Sequence, residues 1–471
     1  MLQIHLPDDA GMEALGEGVF EVLERVGAMF QNVEILRALE SAGAKVNHSS
    51  QVAKFPKLML REFIGAVRAE NARVPQGRTD PPFRGPSLPT FGTQVAQFVY
   101  DFDRQDRRPG TAADLVDFVK LGSALRRDAG VGHCVLLTDV PPMVEPLEAA
   151  LVLAEYAPDP GTVFAWNVAQ EPYLSEMAQI MGIDQWHSWG AVCIAHPLRF
   201  DRTVADRFVR MMRSGYGAGL TAMPVVGLST PVTVEGFIAV ASAELLAAWV
   251  AGRALNPRVG LGGSMWAGTP DMKTGHVSFS AFDALFYDFA AVQFLEKWCG
   301  VRVSVGGGEY SAAKAPGLYA ALEKAYKALA IAAFTGEHPG IGEGMLDSGK
   351  VLSEVQFLLE RELTVGVQQF EREVTPTVET MAMSTIMDVG VGARSNYLQS
   401  EHTALNFRQS LWLPQIWDRT GWNGFESEAQ LLRRMQEKAK ALAADYQKPE
   451  GREQKLSALR KVVEKARAEL L

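Results

Sequence analysis

The sequence predicts an α/β chain folded as a closed (β/α)8 barrel with additional N- and C-terminal helices. Three observations predict it. Short apolar runs begin near Val131 (VGHCVLL), Thr162 (TVFAWN), Ala191 (AVCIAHP), Ala222 (AMPVVGL), Arg258 (RVGLGGSM), Val301 (VRVSVGGGE) and His338 (HPGIGEGML), with starts 31, 29, 31, 36, 43 and 37 residues apart. Every gap except the mostly polar one after Ala191 holds an apolar stretch of helical periodicity, the alternation of right-handed βαβ units on a parallel sheet. Small or polar residues follow most of the runs, and a barrel does its chemistry at the C-terminal ends of its strands.

The elements divide the chain into 1–95, a helical segment and linker; 96–390, the barrel; and 391–471, a helical extension packed on it. Gly11 to Gly27 carries Leu15, Val19, Val22, Leu23 and Val26 at helical spacing, with Gly27 as the stop. Asn32 caps the next helix, whose face is Ile35, Leu36 and Leu39 and which stops at Gly43; Pro56 begins a third, to about Ala69. Residues 73–95 are rich in Pro, Gly and Arg and read as a linker or an ordered excursion. FVYDFDRQDRRPG then reads as an edge hairpin feeding a helix capped at Thr111. The strand–helix run proper spans about 120–390. Of the two helical segments after it, the last (452–471) has Leu456, Leu459, Val462, Val463 and Ala466 on one face, the stripe of a helix docked on the barrel.

Composition narrows the function. The 471 residues are 47% hydrophobic and 21% charged, enough for a large core and against long disordered tails. A net charge of −9 disfavours nucleic-acid binding, which needs clustered Lys and Arg. Three widely spaced cysteines, Cys134, Cys193 and Cys299, do not make a disulfide framework, and the first two read as inert core thiols. His133 and Cys134 are strand neighbours pointing to opposite faces, which argues against a shared zinc ion. The N-terminus lacks a signal-peptide pattern, and the longest apolar stretch, 237–250, is too short to cross a bilayer and contains Ser242 and Glu244. The expectation is a cytoplasmic protein with no membrane contact. Gly306-Gly307-Gly308 lacks the spacing of a dinucleotide fingerprint.

The chemistry-bearing residues lie after the strands. Asp139 follows the first run, Asn167 and Glu171 the second, His196 the third and Ser229-Thr230 the fourth. Trp266, then Glu309, Tyr310 and Lys314, then Glu343 follow the later ones. Trp166, Trp266, Phe279 and Tyr310 sit at or near strand ends, where aromatic faces can surround a cation. Asp139, Glu171, Glu309 and Glu343 would give the mouth a negative rim. His196, directly after a strand, is placed to hydrogen-bond a substrate carboxylate. Ser229-Thr230-Pro231 reads as a turn or cap that also fixes hydroxyls at the mouth, and Glu244, in mid-helix, reads as structural. No metal-ligand spacing is found.

Several segments in order resemble the trimethylamine methyltransferase family, the corrinoid-dependent methylamine and betaine methyltransferases. These are VLERVGAMFQNVEILRALESAGAKVN (22–47), RPGTAADLVDFVKLGSAL (108–125), HPL (196–198), MPVVGLSTPVTVEGFIAVASAELLAAWV (223–250), DMKTG (271–275) and HTALNFRQSLWLPQIWDR (402–419). The 310–324 stretch departs from the family pattern, keeping only Ser311, Lys314 and Glu323. With no pyrrolysine in the chain, the resemblance is to the branch acting on quaternary amines such as glycine betaine. It implies transfer of a methyl group from a quaternary amine to cob(I)alamin held on a separate corrinoid protein, with no cofactor tightly bound by this chain. It places Glu309, Tyr310 and Lys314 at the reacting centre. Trp166, Asn167, Glu171, His196, Ser229, Thr230, Trp266, Phe279 and Glu343 are then the expected substrate-binding residues. A homo-oligomer is compatible with the chain. The competing readings are a barrel lyase or hydrolase using Glu309 and Lys314 as acid and base, and a catalytically inactive amine-binding homologue.

Overall fold

The computed structural model describes residues 2–72, 86–125, 130–336, 338–392, 395–422 and 424–471. The fold is mixed α/β, about 51% helix. Helices Glu145–Tyr156, Glu171–Met181, Arg202–Arg213, Val234–Leu255, Phe282–Cys299, Leu318–Thr335 and Glu354–Val367 alternate with short strands. The helix at 202–213 fills the gap that looked polar. Four arginines mask a complete apolar face of Val204, Ala205, Phe208, Val209 and Met212, all buried.

A set of parallel strand contacts follows chain order, among antiparallel hairpins such as Phe98–Asp101 with Asp106–Pro109 and Met345–Leu346 with Val351–Leu352. Ala96 bridges Val135, Val131 bridges Pro160, and Cys193 bridges Thr221. Val163–Phe164 pairs with His187–Ser188. Gly263–Met265 pairs with Leu220–Ala222 on one side and, through Ser264 and Met265, with Ser304–Val305 on the other. Val351–Leu352 pairs with Phe98–Val99, bringing the end of the run back to its start. These contacts are three isolated bridges and parts of three separate sheets, and the described strands do not trace a closed barrel. Glycine and proline explain the short ladders, since neither supports a long strand. Gly132, for example, lies so close to the next strand that a β-carbon there would be 2.8 Å from the Thr162 carbonyl.

Alternation along the strands sorts their two faces. Leu220, Ala222, Met265, Ala267, Val303 and Val305 are buried against helices. Thr221, Ser264, Trp266 and Ser304 lie on the opposite, more open face. The first core joins the N-terminal helices Asp9–Arg25, Val33–Ser41 and Lys57–Asn71 to the 192–305 half. As the sequence predicts, Asn32 caps its helix, and Gly27 (φ +83°) follows the first helix in a conformation glycine favours. The sequence did not announce the small sheet of Ala28–Phe30, Lys45–Asn47 and Val52–Lys54, which Arg199–Phe200 joins.

The second core joins the 91–186 half to the C-terminal helices Glu428–Ala444 and Glu453–Leu470; Leu456, Leu459, Val462, Val463 and Ala466 are buried in it. Between 368 and 425, by contrast, Ile416 is the one buried hydrophobic residue among the described ones. Val234–Leu255 runs to 22 residues, well past the 237–250 stretch, and is apolar enough to cross a bilayer, but 72% of its apolar window is buried within the protein. It is apolar all round because it is a core helix.

Candidate active site

Trp266, Phe279 and Tyr310 come together. The Trp266 and Tyr310 rings meet edge to face at 4.6 Å, and Phe279 stands 6.4 Å from Tyr310. Local sequence builds this group. Trp266 ends the Gly263–Met265 strand on its open face, and its Nε1 donates to Ser264 Oγ at 2.7 Å. Gly306, on the neighbouring strand, makes room for the indole: a β-carbon there would lie 2.3 Å from the ring. Gly349 (φ +81°) does the same for Tyr310.

A lysine stands beside the rings. Lys327, on the Leu318–Thr335 helix, is 1% exposed. Its Nζ lies 5.7 Å from the Trp266 ring centre and 5.9 Å from that of Tyr310, and donates to the Phe279 carbonyl at 3.0 Å. Burial pulls the Lys327 pKa below its usual value, and the charges of Glu309 and Asp288 pull the other way.

Acids complete the group. Glu309 accepts from Gln94 Nε2 at 2.5 Å; burial raises its pKa, and Lys327 opposes the rise. Glu343 is buried, and one carboxyl oxygen has no hydrogen-bond partner. Its pKa is pushed well above the ordinary range, first by burial and then by the Glu309 charge. Asp288 accepts from Ala267 N at 2.5 Å and is likewise raised by burial. Tyr310 is raised by burial, then by Glu309, Cys193 and Glu343. Cys193 is therefore half-buried beside this group rather than sealed in the core like Cys134 and Cys299.

The other predicted residues stand elsewhere. Trp166 belongs to a second group: its Nε1 donates to Glu145 Oε2, while Glu145 Oε1 meets His133 Nε2, both at 2.9 Å. Burial works against the Glu145 charge, but His133, Leu137 N and Trp166 outweigh it and hold the pKa low. Asn167 caps the short 3-10 turn Val168–Gln170. Glu171 pairs with Arg210 at 3.1 Å.

His196 has no nitrogen left for a substrate. Its Nε2 accepts from Met223 N at 2.7 Å, so the proton sits on Nδ1 and is donated to Glu244 at 2.7 Å. Glu244 also accepts from Leu198 N, tying a strand end to the core helix. Ser229 and Thr230 hydrogen-bond Val225 within their own loop, and Thr233 caps the helix that follows. Asp139 caps Ala112 N. Lys314 is 65% exposed and pairs with Asp347 at 2.5 Å, an oxygen pair that also serves Arg107, so it does not join Glu309 and Tyr310. Among the described residues no three His, Cys, Asp or Glu cluster to hold a metal ion.

Sequence reasoning missed Lys327, Gln94 and Asp288. Lys327 had a readable signal: with Ala320, Lys324, Ala328 and Ile331 it occupies the buried stripe of its helix, a position lysine rarely takes. Gln94 lies in the stretch read as a linker.

An α/β chain with an aromatic and carboxyl-lined group at its strand ends has the makings of a small-molecule enzyme. Comparison with known proteins places it among them. The family model for trimethylamine methyltransferase matches residues 2–470, and the chain belongs to that family of methyltransferases. It is 21% identical over 434 residues to the glycine betaine methyltransferase of Desulfitobacterium hafniense (strain Y51), covering 88% of this chain and 87% of that one. It is 22% identical over 431 residues to the trimethylamine methyltransferase MttB of Methanosarcina thermophila, covering 85% of each. MttB2 of Methanosarcina mazei is 28% identical over 218 residues, 45% of this chain and 42% of that one.

Proposed function

We propose that this protein transfers a methyl group from a quaternary amine of the glycine betaine kind to cob(I)alamin carried by a separate corrinoid protein, and that its parallel strand contacts are arcs of one (β/α)8 barrel. The grouping of Trp266, Tyr310 and Phe279 with Glu309 and Glu343 is the observation that carries the reading, on the ground of family membership.

The corrinoid supplies a Co(I) nucleophile that takes the methyl group. The protein's own part is then positional. The C–N bonding pair stays on nitrogen, which leaves as a neutral tertiary amine, so no side chain need donate a proton. The aromatic faces hold the methylammonium, and Glu309 and Glu343 favour its charge. Fixing one methyl group in line with the incoming nucleophile is the main source of rate. Trp266, Phe279, Tyr310, Glu309 and Glu343 are the contacts we assign to the substrate. To Trp166, Asn167, Glu171, His196, Ser229 and Thr230, bonded to partners elsewhere, we assign no substrate contact.

Glycine betaine, reduced cobalamin or corrinoid protein, and this protein are combined in an anaerobic absorbance assay. The expected result is amine-dependent loss of the Co(I) spectrum with formation of dimethylglycine. If a panel of quaternary amines gives no change, the reading is wrong.

A further inference from the structure

Lys327 is buried, and among the described residues no side chain neutralises its charge at contact distance. Its ammonium has three N–H donors. One reaches the Phe279 carbonyl at 3.0 Å, and among the described residues no carboxylate pairs with it within 4.0 Å. Glu309 and Asp288 act on it only from farther away. A buried donor without an acceptor is costly, and an unpaired buried charge costs more. The surroundings still suit the charged form: Trp266 and Tyr310 lie within cation–π range, and the carbonyl accepts.

The site therefore carries both signs at once. Acids at Glu309 and Glu343 favour a ligand cation; the ammonium at Lys327 repels one and, among the described residues, has Glu309 and Asp288 acting on it only from beyond contact distance. A simple tetraalkylammonium satisfies only the first half. A zwitterion with a carboxylate two or three bonds from its quaternary nitrogen satisfies both.

We propose that Lys327 binds the carboxylate of the substrate, so that the substrate is a betaine and not a quaternary amine lacking an anionic group. This rests on the amine-binding reading above and names the residue that selects within it. The carboxylate supplies an acceptor for the remaining N–H groups, and the trimethylammonium then turns towards the acids and the aromatic faces.

The test is calorimetric binding of glycine betaine and of tetramethylammonium to the wild-type protein, Lys327→Met and Lys327→Arg. Lys327→Met should weaken glycine betaine about 10- to 100-fold, the usual worth of a charged hydrogen bond. It should leave tetramethylammonium unchanged or tighter, and Lys327→Arg should recover part of the betaine affinity. Equal weakening of both ligands, or no change in either, overturns the proposal. Should Lys327→Met not fold, the wild-type protein decides: betaine must bind at least about 10-fold tighter than tetramethylammonium, and a smaller ratio overturns the proposal. Binding is read without turnover. Lys327-dependent betaine binding with no methyl transfer would leave this proposal standing and remove the methyltransferase one.

Discussion

Lys324 and Lys327 lie one turn apart on the same helix and are equally hidden from water, yet they are opposites. Lys324 is ion-paired with Glu360. The second oxygen of Glu360 takes the N–H groups of Glu343 and Gly344 at 2.9 and 2.7 Å, so the pair pins the turn that carries Glu343. Lys327 has aromatic faces and one carbonyl, and among the described residues no carboxylate at contact distance. Burial alone does not say what a charge is for. A satisfied charge holds the fold, and an unsatisfied one waits for a ligand.

That contrast breaks first at Glu360. Glu360→Gln should destabilise the protein by about 3–5 kcal/mol, because it strands a buried ammonium. Lys327→Met should cost no more than about 1 kcal/mol, since replacing a poorly partnered buried charge with an apolar chain is often neutral or favourable. Urea denaturation of both variants checks this, and equal losses would erase the distinction.

Smaller effects follow at the rings and the acids. Trp266→Ala should weaken glycine betaine about 2- to 30-fold in calorimetry, the range of a partly desolvated cation–π contact. Glu309→Gln should slow turnover about 10-fold, as loss of one charged contact would. Glu343 gives a pH signature. Its pKa is raised in the fold, so it binds its proton more tightly folded than unfolded. The stability it contributes is complete below the ordinary carboxylate value of 4.5 and is lost as pH rises through the raised folded value. Glu343→Gln should therefore flatten the fall in stability above pH 4.5, measured by urea midpoints across the pH range. Least affected should be Cys193→Ser, with turnover within about twofold, because the thiol is beside the group but bonds no acid in it.

The same comparison explains what was legible in the sequence. Trp266, Phe279, Tyr310 and Glu309 could be gathered in advance because strand-end position fixes which way a side chain can serve. Lys327 could not be gathered by that rule, since it reaches the site from mid-helix. His196 misled for the reverse reason. Its position after a strand is right for a ligand, but Glu244, 48 residues on, and the Met223 N–H occupy both nitrogens. Lys314 looked catalytic beside Glu309 until its partner Asp347 stood 33 residues away across a loop. The helix–strand order was legible from apolar periodicity, except at 202–213, where arginines cover a full apolar face. Strand continuity was not legible: runs punctuated by Gly and Pro predict extended backbone without fixing how far each ladder extends.

The central claim, methyl transfer from a betaine to a corrinoid, is tested most directly by anaerobic incubation of wild-type protein with glycine betaine and cob(I)alamin. Predicted is a betaine-dependent loss of the Co(I) spectrum with one dimethylglycine formed per methyl group transferred. A spectrum that stays unchanged with glycine betaine and its cognate corrinoid protein, while the folded protein binds the betaine, would contradict it.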